Sequence, residues 1–215
     1  MDKTAYHGIL EKYPDLRQSI EEKTFSEGDK RIVCYTKIKT DNRGFYKDLE
    51  QYEIYNKRIP YDDFKSIVLS RYRAWNQDNM IFECSLFQNI VEDMILFRCA
   101  SDDEIMKFYQ DIRNMLHGKN YHIVYLKTDD IRGNLDVIRK ERSDDKGNEL
   151  WFPLMMGFFN DSPYAKKHGL MGEASLVNHF RHRQNLELSI CEEIFANNYT
   201  VVLSKAYADT DLAKL

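Results

Sequence analysis

Glycine is scarce in this chain and badly placed for phosphate chemistry. Nine occur in 215 residues, and none builds the G-x-x-x-x-G-K-[ST] loop whose backbone N–H groups cradle phosphates. The one Gly-Lys pair is Gly118–Lys119, followed by Asn120 and with Arg113 where the first glycine belongs. It also falls after an expected helix and before an expected strand, the reverse of the required order. Long apolar runs are missing too. The longest, Phe152–Phe159, holds Pro153 and Gly157 and is far too short to span a bilayer, so no membrane partner is expected. The opening MDKTAYHGILEKYP lacks the apolar stretch of a secretion signal. A basic excess is absent as well. The formal net charge is −4, which argues against a nucleic-acid partner but leaves room for a small anion held by a few arginines. The four cysteines, Cys34, Cys84, Cys99 and Cys191, form no C-x-x-C and read as reduced thiols of a cytoplasmic protein. His179 and His182 have the helical spacing of metal ligands but no third ligand at a suitable distance in sequence, so no metal site is assigned. Neither Ser85 nor Cys84 has an identifiable base.

What remains is a chain with 43% apolar and 31% charged residues, of a length that suits one domain over 1–215. Its first segment is helical with a break at Pro14, and Arg31–Ile38 has strand composition. Helix is expected over 44–57 and 61–77, where Phe64, Ile67, Val68, Tyr72 and Trp75 share a face. Arg71 falls within that apolar stripe. It reads either as a snorkelling arginine at the edge of a core helix or as one aimed into a cleft toward an anion. Asn79–Cys84 reads as a buried strand, with a helix after it near 90–97. Ser101 with Glu104 is a capping-box pattern opening a helix to about His117. Tyr121–Thr128 is a second strand, and Asp129–Asp130 cap IRGNLDVIRKER. Helices follow over 149–160 and 174–195, and Thr200–Ala206 is the third strand, with a further helical turn beyond it. Each of these three strands is a short continuous apolar run, as a parallel sheet covered on both faces requires. The expected class is therefore α/β, with a helical lid over 129–172.

Ligands of open parallel sheets bind outside the carboxyl ends of the strands. There the sequence places Glu83, with Gln88 and Asn89 close behind; Lys127 to Asp130; and Ser204 with Lys205. An acid at such a tip can hold Mg²⁺ through water or take a hydroxyl proton; equally, it can only cap the next helix. Arg132, Arg139 and Arg142 recur on roughly one face of the helix after the second strand. A guanidinium row suits phosphate oxygens, and it is equally the pattern of a solvated face paired with Asp136 and Glu141.

The runs IFECSLFQN, IVYLKTDDIRGNLDVIRKER, NDSPYAKKHGLMG and FRHRQNLELSI together resemble a bacterial family of P-loop kinase-like proteins, related in fold to thymidylate and deoxynucleoside kinases. The similarity extends from about Tyr6 to Val202. It implies a three-layer parallel sheet of P-loop kinase type that uses ATP and Mg²⁺ in the complete protein and phosphorylates a small-molecule acceptor. The resemblance puts Glu83 at the acceptor hydroxyl or metal, and Arg132, Arg139 and Arg142 over the transferring phosphoryl group. It assigns Arg71, Gln88, Asn89, Arg183 and Glu187 to the substrate side. In that family the P-loop follows a central first strand, which would lie between the strands matched by Asn79–Cys84 and Tyr121–Thr128. The sheet expected here is thus incomplete, lacking the first strand, the P-loop and the second strand, a unit of at least roughly 30 residues. Three arrangements follow: a fragment of a longer kinase, a half completed by an N-terminal partner chain or by a homo-oligomer, or a degenerate relative that binds a phosphorylated ligand or another protein without turnover.

Overall fold

The computed structural model describes residues 1–204. The chain divides into two compact units, Met1–Ile59 and the residues from Pro60 on, where the sequence reading takes 1–215 as one domain. Lys205 and Ala206, at the end of the expected third strand, and the turn of helix beyond them lie outside the described residues.

In the first unit, Asp2 caps α1 (Lys3–Lys12) by accepting the Ala5 N–H at 2.8 Å. Pro14 breaks the helix into a 3₁₀ turn before α2 (Arg17–Glu22). Thr24–Glu27 (β1) and Lys30–Val33 (β2) form an antiparallel hairpin, turned at Gly28 with φ +59°, a conformation glycine adopts without strain. The strand expected over Arg31–Ile38 therefore stops at Val33 and pairs antiparallel with β1. Asn42 caps α3 (Arg43–Glu50). Tyr6, Ile9, Leu10, Ile20, Phe45 and Leu49 close over one another as this unit's core, and Tyr13 donates to Asp48 Oδ2 at 2.7 Å at its edge.

In the second unit, α4 (Tyr61–Ala74) buries Phe64 and Val68. Phe64 meets Phe108 of α6 (Asp102–Met115) with ring centroids 6.3 Å apart. Between these helices, α5 (Gln88–Glu92) runs into one π turn, Asp93–Phe97. The expected capping box opens α6: Glu104 N–H donates to Ser101 Oγ at 3.3 Å, and Ser101 N–H donates to Glu104 Oε2 at 2.9 Å. β3 (Ile123–Lys127) follows, then α7 (Ile131–Glu141), capped by Asp130. After α8 (Trp151–Asn160) and α9 (Pro163–His168) comes α10 (Gly172–Ile190), which ends in a second π turn, Cys191–Phe195. The last element, β4 (Tyr199–Leu203), pairs parallel to β3 with Tyr125 opposite Val201.

Phe87, just before α5, is the hub of the core beneath this pair. Its ring stacks on Tyr109 at 5.7 Å and meets the rings of Tyr125 and Phe195 edge-on at 5.6 and 6.4 Å. Phe87 itself is half-buried; Ile123 and Tyr125 beside it are buried, while the alternate residues Val124 and Leu126 are 41% and 52% exposed. β3 and β4 make a sheet of two strands, so among the described residues the far edge of β3 pairs with no strand.

Asn79–Cys84 is not a strand. The segment is an exposed irregular loop, with Ile81 95% exposed and its ends turned by positive φ at Asn79 (58°) and Cys84 (57°). The physical reason is backbone pairing: strand-forming composition becomes a strand only beside a partner that takes its N–H and C=O groups. Phe82 instead rests edge-on against Trp75, centroids 5.3 Å apart. Among the described residues no helix is long and apolar enough to cross a membrane.

Candidate functional site

The carboxyl end of β3 is fastened to α10 by one side chain. Thr128 N–H donates to Gln184 Oε1 at 2.9 Å, and Gln184 Nε2 donates back to Thr128 O at 2.9 Å, so an amide side chain takes the place of a neighbouring strand. Beside it, Lys127 pairs with Asp129 at 2.8 Å.

Below this clasp, His179, Arg183 and Glu187 recur at four-residue spacing and so share one face of α10. Arg183 Nη1 donates to Glu92 Oε2 at 3.0 Å, and its Nε lies 3.4 Å from Glu187 Oε1. His179 Nε2 is 3.0 Å from the same Glu92 oxygen. Tyr125 of β3 donates to Glu187 Oε2 at 2.6 Å. One guanidinium thus serves two buried carboxylates, and the two respond differently. Burial alone would raise the Glu92 pKa, but Arg183 and His179 outweigh it and hold the carboxyl below its ordinary value. For Glu187 burial prevails over Arg183 and Tyr125, and its pKa is raised. Tyr125 is pushed far up by burial and by Glu187. Within this network four buried atoms have no hydrogen-bond partner: Glu92 Oε1, His179 Nδ1, Arg183 Nε and Glu187 Oε1. Unmade bonds on buried charged groups are costly, which makes this network sensitive to any change in its charge.

The loop before α5 lies within reach of Arg183. The Cys84 thiol donates to Gln88 Oε1 at 3.1 Å, and Asn89 N–H donates to Cys84 O at 3.3 Å. Tyr72 fixes the loop from α4 by donating to Ser85 O at 3.0 Å. Burial pushes the Cys84 thiol up, Glu83 adds to that and the Arg183 guanidinium opposes it. Gln88 and Asn89 are exposed in the first turn of α5, behind a loop where a strand tip is expected. Glu83 is exposed in the loop rather than at a strand tip. Arg71 lies half-buried near the end of α4.

The α7 arginines form a separate group. Arg139 is gripped in a fork by Glu149, Nε to Oε1 and Nη2 to Oε2, each at 3.0 Å. Its Nη1 reaches Glu173 Oε2 at 3.3 Å, and its guanidinium lies 4.0 Å over the Phe152 ring. Glu173 Oε1 also takes Arg132 Nη2 at 3.1 Å, while Arg142 lies over Trp151 at 5.1 Å. Glu173 stands near the start of α10 and Arg183 ten residues further on, about 15 Å along the axis. The structure brings Arg132 and Arg139 together, and Arg183 with Glu187, but it does not bring the two groups to one point.

Sequence reasoning missed Glu92, Tyr125, Glu149 and Glu173. The first had a visible signal: Glu92 and Asp93 interrupt the apolar run Ile90–Leu96, and buried acids need cationic partners. Each has one, Arg183 for Glu92 and Arg98 for Asp93 at 2.9 Å. Glu187, expected to face substrate, is instead committed to Tyr125 and Arg183. Both histidines of HFRHR are held by acids, His179 by Glu92 and His182 by Asp102 at 2.9 Å. Among the described residues no three His, Cys, Asp or Glu side chains gather as a metal group.

Comparison with models of known protein families, with curated proteins and with solved structures finds no match. A functional reading therefore rests on the residues themselves.

Proposed function

We propose that the chain is the acceptor-and-lid portion of an ATP-dependent phosphotransferase acting on a small nucleoside- or nucleotide-like molecule. Its phosphate cradle would come from a strand–loop–helix that pairs along the open edge of β3. The observation that carries this reading is that edge. Among the described residues β3 pairs with β4 alone, which leaves its other edge without a strand. A parallel pair is normally buried on both faces, yet Val124 and Leu126 of β3 stand bare, and Met80–Phe82 lies exposed in an irregular loop. One inserted strand would pair with β3 and could give Asn79–Cys84 the partner its composition calls for, bringing Glu83 to a strand tip.

These residues by themselves offer ATP no phosphate cradle, so the chain alone is expected to transfer nothing. What they fit is the anionic part of the reaction. Arg132 and Arg139 lie on the helix that leaves the carboxyl end of β3 and Arg142 is its C-terminal cap, and charge neutralisation by such groups dominates phosphoryl transfer. Gln88 and Asn89 supply polar contacts for an acceptor at the mouth of the α5 loop, with Arg71 on the neighbouring helix. Mg²⁺ held through phosphate oxygens and one or two carboxylates needs no preformed three-ligand cluster.

A second reading is a module that binds a phosphorylated ligand or a protein without turnover. It is favoured by one observation: Arg132 and Arg139 already have carboxylate partners. The coding DNA upstream of the Met1 codon, read in three frames, separates the two. A strand–GxxxxGK[ST]–helix there supports the kinase reading. The chain restored with it is then expected to transfer the γ-phosphate from ATP, with Arg139→Ala lowering turnover by roughly 10²–10³. No such unit upstream, and no ATP turnover, overturns it in favour of the binding module.

A further inference from the structure

We infer that Glu149 is a built-in occupant of the α7 anion site, an autoinhibitory carboxylate that an incoming phosphate must displace. The inference rests on the reading of α7 as an anion-gripping lid.

A guanidinium presents two parallel N–H bonds to either a carboxylate or a phosphate, with the same planar geometry. On Arg139 that edge is filled by Glu149, whose two oxygens each accept at 3.0 Å. The pairing lies only ten residues apart in sequence and is held by a loop that closes on itself. Ser143 and Glu149 form an isolated antiparallel bridge. Asp144 Oδ1 accepts from Lys146 N–H at 2.9 Å and from Asn148 N–H at 2.8 Å. Gly147 completes the turn at φ +80°, where a side chain would be strained. Arg139 is also held over Phe152, so the fork is presented in one orientation whichever anion fills it.

The contact is positioned and open to exchange. The side chains of Arg139 and Glu149 are 24% and 40% exposed, so a competing anion reaches the fork from solvent without unfolding anything around it. Glu173 remains on Nη1 and on Arg132 after Glu149 leaves, so the arginines keep their spacing. In the occupied state the acids offset the guanidiniums; displacement of Glu149 uncovers the fork for a phosphate dianion.

Inorganic pyrophosphate, titrated calorimetrically into the full chain and its variants at low salt, tests this. Glu149→Gln is expected to bind roughly fivefold tighter than wild type. Adding Arg139→Ala to it should abolish the gain. Asp136→Asn removes a carboxylate 3.7 Å from Arg139 Nη1 that does not fill the fork, and its gain should be smaller. Equal gains from Asp136→Asn and Glu149→Gln would show a general charge effect and overturn the latch. If wild type and Glu149→Gln bind equally while Arg139→Ala weakens both, the latch falls and the arginine site stands. If no variant binds, or Arg139→Ala changes nothing, the arginine site falls with the latch.

Discussion

Tyr125 donates its hydroxyl proton to Glu187 Oε2 across 2.6 Å, joining the buried face of β3 to α10. The acceptor is a carboxyl whose pKa burial has raised above 4.5. An acid that binds its proton more tightly when folded stabilises the fold below its unfolded pKa. That contribution is lost as pH climbs through the folded value. Glu187 should therefore cost the protein stability as pH rises from about 4.5. Glu187→Gln keeps an acceptor for Tyr125 and removes the titration. Urea melts between pH 4 and 8 are expected to show a decline in the wild type that is reduced in the variant. Parallel profiles would remove Glu187 as the source. Glu92, held below its ordinary value, acts in the opposite sense: its contribution is present above pH 4.5 and is lost as pH falls.

Arg183 compensates both acids. Replacing it with Met keeps volume but leaves Glu92 and Glu187 with no guanidinium, and such a loss typically costs about 3–5 kcal/mol. Chemical denaturation of Arg183→Met should show this. The triple change Glu92→Gln, Arg183→Met, Glu187→Gln is expected to recover much of it. A loss under about 1 kcal/mol in the single variant would mean that the pair is solvated rather than buried.

Phe87 touches the rings of Tyr109, Tyr125 and Phe195 at once. Phe87→Ala should lower stability, by less than the about 3–5 kcal/mol of a fully buried phenylalanine because its ring is half-buried. It should also loosen the loop that carries Gln88 and Asn89, visible as faster amide exchange over residues 84–89. Unchanged exchange there would show that Tyr72, on Ser85 O, and Tyr109, whose hydroxyl donates to Leu86 O, hold the loop without it.

The open edge of β3 predicts association. A strand edge without a partner, next to bare apolar residues, templates another chain, so the isolated protein should self-associate in sedimentation experiments. Leu126→Lys, at a position 52% exposed, should reduce that association while moving the melting temperature little. An unaltered sedimentation profile would mean that the edge is not the contact.

How far these features were legible depended on the range of the forces behind them. Ser101 with Glu104, and Asp130 ahead of α7, were readable because a cap acts within three residues. β3 and β4 were readable as continuous apolar runs because each finds its neighbour. Asn79–Cys84 has the same local character and failed as a strand, since no partner pairs with it and composition cannot supply one. Arg139 was visible as part of a row, but its partners were not: Glu149 depends on the turn at Gly147, and Glu173 on how α10 meets α7. Glu92 could have been suspected from its place in an apolar run. That its partners would be Arg183 and His179, 91 and 87 residues on, is a property of the packing alone.

The proposed phosphotransferase role is tested most directly by the native mass of the endogenous protein, isolated from its source cells with anything bound to it. That role requires a polypeptide heavier than 25.6 kDa, or a 25.6 kDa chain accompanied by a second chain carrying G-x-x-x-x-G-K-[ST]. A lone species of 25.6 kDa, with no nucleotide and no companion chain, would contradict it.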